Sequence, residues 1–80
     1  MSPIGPRHSW IVDKLFRAFI RQERGRFETK QDCPLPIPDH DEPEPDLLLY
    51  RPGAATEEHH ARPADVLLVV EVAQAPAGVI

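Results

Sequence analysis

The sequence predicts an α/β fold in which one amphipathic helix packs on a mainly antiparallel three-stranded sheet. Three observations carry this. A single apolar stripe at helical spacing runs from Ser9 to about Arg24, two short β-prone apolar runs stand at 46–51 and 65–73, and the chain is only 80 residues long. A chain of that length makes at most one small domain with a thin core. Ten prolines, seven of them between residues 34 and 63, limit regular structure in the middle of the chain to short pieces.

The helix is expected at about 9–24. Ile11, Val12, Leu15, Phe16, Phe19 and Ile20 recur on one face, and Arg17, Arg21 and Arg24 fall on the other. Ser9 serves as N-cap, Asp13 suits the first turn, Arg21 and Arg24 suit the last, and Gly25 stands where a left-handed residue ends the helix. A first strand at about 27–33 follows from the weak alternation of Phe27, Thr29, Gln31 and Cys33. The run Pro34–Pro38 is extended, and Asp39–Pro45 is an acidic loop, because a residue before proline avoids the helical region. A second strand at about 46–51 is bounded by Pro45 and by Pro52-Gly53. The loop 52–64 leads to a third strand at about 65–73, whose side chains are apolar on both faces, the pattern of a strand covered on both sides. One helix cannot supply two layers, so the expectation is a partial domain over residues 1–80 whose second covering layer lies past Ile80. That leaves a chain of marginal stability, with Val66–Val70 prone to associate.

Cys33, the single cysteine, excludes an internal disulfide and a cysteine-based zinc site. The N-terminus has no cationic segment followed by an apolar run, and Val66–Val70 is too short to span a bilayer, so no signal peptide or membrane helix is expected and the cytoplasm is the default location. Charge is asymmetric: residues 1–30 carry a net +4 and the remainder a net −8. A polyanion touching the basic half, with a divalent cation held by the acidic half, fits this division; two differently solvated surfaces fit it as well.

Glu71 is the most informative residue, since a carboxylate within Val-Leu-Leu-Val-Val-Glu-Val is costly to bury unless paired, protonated or metal-bound. The antiparallel register that sets Asp46 opposite Glu71 also pairs Leu47 with Val70, Leu48 with Val69, Leu49 with Leu68 and Tyr50 with Leu67. Opposed Cβ atoms lie roughly 5 Å apart, close enough for two carboxylates to share a divalent cation. A solvated strand end with both acids at the rim remains the alternative. His40, His59 and His60, with Glu57 and Glu58, lack helical ligand spacing and read as solvated loop, and Cys33 reads as a half-buried strand residue rather than a nucleophile.

Three segments occur in order: Ser-Pro-Ile-Gly-Pro-Arg-His opening the helix, Pro-Asp-Leu at 45–47, and Leu-Val-Val-Glu-Val at 68–72. Together they resemble the Uma-type putative restriction endonuclease family of the PD-(D/E)xK nuclease superfamily, over Met1 to about Ala73. The resemblance implies a partial restriction-endonuclease-like core in which Asp46 and Glu71 hold Mg2+ or Mn2+ and activate water against a DNA phosphodiester. His8 matches the family histidine before the helix, a catalytic candidate that meets a phosphate or the metal site; the alternative is a residue packed on Trp10. The superfamily lysine two residues after the glutamate is Ala73 here, Lys14 and Lys30 have no catalytic place in the family pattern, and residues 74–80 do not resemble the family's continuation. Family members also extend upstream of the Ser-Pro motif. The expectation is therefore a fragment, truncated at both ends, of a metal-dependent DNA endonuclease, inactive as it stands and binding the cation weakly. The alternative is a non-catalytic remnant or small interaction protein that uses its apolar sheet edge, with self-association as one outcome.

Overall fold

The computed structural model describes residues 5–39 and 42–73, so His40 and the 74–80 segment lie outside the described residues. It contains helix α1 (Pro6–Gln22) and strands β1 (Glu28–Gln31), β2 (Leu47–Tyr50) and β3 (Val66–Val70), with one 3-10 turn at Pro63–Asp65 leading into β3. The sheet order is β1-β2-β3 and both pairings are antiparallel, with α1 packed against β1. One helix on a three-stranded antiparallel sheet is the architecture expected. No helix among the described residues is long and apolar enough to cross a membrane.

Helix α1 begins one turn earlier than the Ser9 cap implies. Gly5 is the N-cap, in extended conformation, and Pro6 takes the first helical position, where its fixed φ is preorganised and its missing N–H leaves no donor orphaned. Ser9 is already inside, its amide bonding the Gly5 carbonyl at 3.2 Å. The stripe faces inward as its spacing requires: Val12 is buried and Ile11, Leu15, Phe16 and Phe19 are half-buried. At the other end two successive left-handed residues, Arg24 (φ 44°) and Gly25 (φ 77°), turn the chain back. The Glu23 carboxylate then accepts the Thr29 amide at 2.8 Å, tying the helix end to β1.

All four residues of β2 are buried, whereas Leu67, Leu68 and Val69 of β3 are 53%, 43% and 45% exposed. β2 is the central strand and β3 an edge, and among the described residues the two-faced apolar run of β3 is left without the second layer its pattern calls for. Leu48 and Tyr50 share one face and pack with Cys33, Leu35 and Ala61, joined at the margin by Ile37, Ala54, Ala55 and Val66. The proline-rich segment and the 54–61 loop thus form a layer over this face of β2, while α1, which contributes nothing to this cluster, packs on β1, and Leu47 and Leu49 alternate to the other face of the sheet. Leu35 is held in place by its amide bond to the Pro43 carbonyl, 2.9 Å.

The strands are shorter than the apolar runs at both ends, and Cys33 lies beyond β1 rather than within it. In the β2/β3 ladder Leu47 pairs with Val70, Leu48 with Val69 and Leu49 with Leu68, the register that sets Asp46 opposite Glu71, but Tyr50 pairs with Val66 instead of Leu67. A bulge between Leu49 and Tyr50 accommodates the extra residue; such irregularities near an exposed edge add twist and interrupt the regular ladder.

Candidate active site

Three elements meet at the Asp46 side chain: the first turn of α1, the entry to β2 and the exit from β3. Pro45, fully buried, fixes the bend before β2, and the Asp46 carbonyl accepts the Asp32 amide at 3.2 Å. One carboxylate oxygen, Oδ2, accepts the Val72 amide at 2.7 Å and lies 3.3 Å from His8 Nε2. The His8 and Asp46 side chains are each about one-fifth exposed. A carboxylate that accepts a backbone amide is fixed in direction, because charge-assisted hydrogen bonds are short and strongly oriented.

His8 occupies the wall between two hollows. The larger, about 480 Å³, is lined by Gly5, Arg7, His8, Ile11, Val72 and Ala73 among others. The smaller, about 90 Å³, is lined by Ser9, Val12, Gln31 and Asp32 together with His8 and Asp46. The second ring nitrogen of His8, Nδ1, is buried and has no hydrogen-bond partner among the described residues. Trp10 points to solvent, 61% exposed, with Lys14 Nζ 5.4 Å from its ring centre, so His8 engages Asp46 and not the indole.

Glu71 is the first residue after β3 and is exposed. The register that pairs Leu47 with Val70 continues to it opposite Asp46, but the Asp46 carboxylate reaches past it to the Val72 amide. Among the described residues no three His, Cys, Asp or Glu side chains converge as a metal cluster. The donor chemistry still suits a hard divalent cation: two carboxylates at adjacent strand ends, one already oriented by a backbone amide, with water to complete the shell.

The other sequence candidates lie apart from this centre. Glu57, Glu58, His59 and His60 form an exposed loop, organised by Thr56 Oγ1, which accepts the amides of Glu58 (3.1 Å) and His59 (3.3 Å). Cys33 lies 3.9 Å from His60 Nδ1, a proximity no spacing in the sequence announces. Burial nevertheless pushes the Cys33 thiol above its ordinary value, which keeps it protonated and argues against a nucleophile. The Val72 amide, the shortest contact to Asp46, was not legible either, since a backbone donor has no residue type.

Neither a curated protein nor a solved structure matches the chain. The model of the Uma2 family, described as putative restriction endonuclease, matches residues 1–77. With Pro-Asp-Leu entering β2, Glu71 leaving β3 and His8 on the first turn of α1, the matched segment spans every element of the site, and the chain belongs to the Uma2 putative restriction endonuclease family.

Proposed function

We propose that this chain carries the divalent-cation centre of a DNA endonuclease, built from Asp46 and Glu71 with His8 as a positioning residue. The observation that supports the reading most is the double engagement of Asp46 Oδ2, by the Val72 amide and by His8, at the junction of three elements. A Mg2+ or Mn2+ ion bound there supplies Lewis-acid chemistry, lowering the pKa of bound water and neutralising phosphoryl charge. The protein's part is to hold Asp46 in one orientation through the Val72 amide, to brace it with the His8 imidazole, and to place Arg7 in the wall of the adjoining hollow, where a guanidinium suits a phosphate. Glu71, exposed at the strand end, is the second carboxylate ligand.

In this reading turnover by the chain itself is weak. Position 73 holds alanine, and the two lysines lie on α1 and β1, both exposed, away from the chain that follows Glu71. Loss of one preorganised electrostatic group of this kind costs ~10² to 10³ in rate. The test has two parts. Titration with Mn2+ should broaden NMR signals around Asp46 and Glu71; broadening confined to His59 and His60 would place the cation elsewhere. Supercoiled plasmid incubated with the chain and Mg2+ or Mn2+ should stay intact; nicking that disappears in Glu71→Ala would establish a working nuclease and overturn the inference from Ala73.

A second reading rests on a separate observation, the exposure of Leu67, Leu68 and Val69 along β3, the edge strand of the sheet among the described residues. In it the chain is an interaction module that adds another strand there. Sedimentation over a range of concentrations decides: a monomer throughout, unaffected by Leu68→Lys, would exclude self-association by this edge.

A further inference from the structure

Apart from Arg7, the outward face of α1 has a composition the catalytic reading does not use. Arg7, Trp10, Lys14, Arg17 and Arg21 fall within an arc of about 80° on a helix of 3.6 residues per turn, opposite the face that carries Val12 and Phe19. All five are exposed. One carboxylate borders the arc, Asp13, and it is taken by Arg17 at 3.0 Å. Glu23, the nearest acid past the helix end, is turned toward β1 by the Thr29 amide. Arg7, Lys14 and Arg21 make no ion pair among the described residues. The stripe runs about 21 Å from Arg7 to Arg21, the length of roughly six nucleotide steps of a helical strand at 3.4 Å each. Its first residue, Arg7, also lines the hollow beside His8, so the stripe leads into the candidate active site.

We infer that this stripe is a docking surface for the phosphodiester backbone of a nucleic-acid strand, with Trp10 as a stacking platform for an unpaired base. Cations set along one line of a helix meet phosphates of a strand laid beside it, and an indole exposed on the spine of the same stripe adds base stacking, the combination by which single strands are held. Lys14, poised over the ring, restrains the indole without burying it. Charge complementarity favours this face, because the remaining fifty residues carry a net −8. An anionic membrane is disfavoured: a helix lying in lipid inserts its apolar face, and here that face is packed on the sheet. The partner's chemistry rests on the nucleic-acid reading above, while the surface rests on the charge pattern alone.

The test is run with the full chain in EDTA, where the metal centre contributes nothing, so its outcome is independent of the cation proposal. Binding of a fluorescein-labelled 20-nucleotide single strand and of the matching duplex is followed by anisotropy between 50 and 200 mM salt. The wild type should bind the single strand more tightly than the duplex, with quenching of its one tryptophan. Lys14→Gln/Arg21→Gln should weaken single-strand binding about 10-fold or more at the lowest salt and reduce the slope of log K against log salt by about 1.4, two phosphate contacts at about 0.7 each. Trp10→Ala should cost on the order of 5-fold or more on the single strand and little on the duplex. Arg62→Gln, a cation outside the stripe, should bind as the wild type does, and circular dichroism should show unchanged helix in all variants. No binding, an affinity indifferent to the stripe variants, or binding only to phosphatidylserine vesicles would each overturn the proposal.

Discussion

Asp46→Ala separates what this carboxylate does for the fold from what it does for chemistry. The substitution leaves the Val72 amide without its acceptor, a charge-assisted bond of 2.7 Å at a site one-fifth exposed, for which the loss is about 1.5–3 kcal/mol. The His8 contact is longer, 3.3 Å, and adds at most about 0.5 kcal/mol. Together they give about 2–3 kcal/mol, against the ~4–12 kcal/mol available to a domain of this length at ~0.05–0.15 kcal/mol per residue. At about 4–8 °C per kcal/mol, the midpoint should fall by at least 8 °C. Asp46→Asn keeps an amide oxygen for the Val72 N–H and should lose only about 1 kcal/mol, while Glu71→Ala, at an exposed strand end, should stay within about 0.5 kcal/mol of wild type. Thermal and urea melts by circular dichroism read all three. Equal stability of Asp46→Ala and Glu71→Ala would refute the reasoning, because the clip between β2 and β3 would then contribute nothing. If the ordering holds, Asp46→Asn rather than Asp46→Ala is the variant in which lost metal binding can be read without unfolding.

Three further outcomes follow from burial and titration. Leu48→Ala, in the centre of the sheet and fully buried, should cost about 2–5 kcal/mol in urea melts, whereas Leu67→Ala, more than half exposed on the edge, should cost about 1 kcal/mol; the reverse order would make β3 the core strand after all. Burial raises both the Cys33 thiol and the Tyr50 hydroxyl above their ordinary values of 9.0 and 10.0. The unfolded chain therefore releases these protons first, and stability, undiminished below about pH 9, should decline as pH rises through that range, less steeply in Cys33→Ala; stability flat to pH 10.5 would contradict it. Glu23→Ala should cost about 1 kcal/mol by orphaning the Thr29 amide at the turn from α1 to β1, and hydrogen exchange at Thr29 should accelerate in that variant.

How far the sequence discloses this molecule depends on which physical term decides each feature. The helix face is set by periodicity, and the six apolar residues that mark it do turn inward, apart from Ile20 at its margin. Its start is a competition between two capping signals three residues apart: Ser9 offers a side-chain cap, but Pro6 can only stand at a helix beginning, and Pro6 prevails. Three rungs of the β2/β3 ladder follow the register that aligns Asp46 with Glu71, which the two acids single out where hydrophobicity, uniform along both strands, does not. The bulge at Leu49/Tyr50 carries no such signature, since Val66 and Leu67 are equally apolar partners for Tyr50. The same degeneracy hid which strand is central. Leu-Leu-Leu-Tyr and Val-Leu-Leu-Val-Val are indistinguishable by composition, and their burial differs because the first lies between two strands and the loops carrying Cys33, Leu35 and Ala61 fold over its Leu48/Tyr50 face.

The site follows the same division between side-chain and backbone information. Asp46 and His8 are 38 positions apart in sequence and meet because α1 starts where β2 starts, a consequence of the helix running back over the sheet. That convergence needs the early Pro6 start: a helix beginning at Ser9 would leave His8 in the preceding coil, with nothing to hold its ring against Asp46. The short Gly5-Pro6 entry therefore does more than open a helix, since it brings His8 to the carboxylate and Arg7 to the hollow in a single turn. The glutamate is placed by a different device. Its position depends on the last rungs of a strand that, among the described residues, is held from one side, so the Asp46–Val72 bond that closes the end of β2 onto β3 also restrains Glu71, one residue away. Fold closure and site geometry are here the same hydrogen bond, which is why a variant that keeps it, Asp46→Asn, is needed before lost cation binding can be assigned to the site.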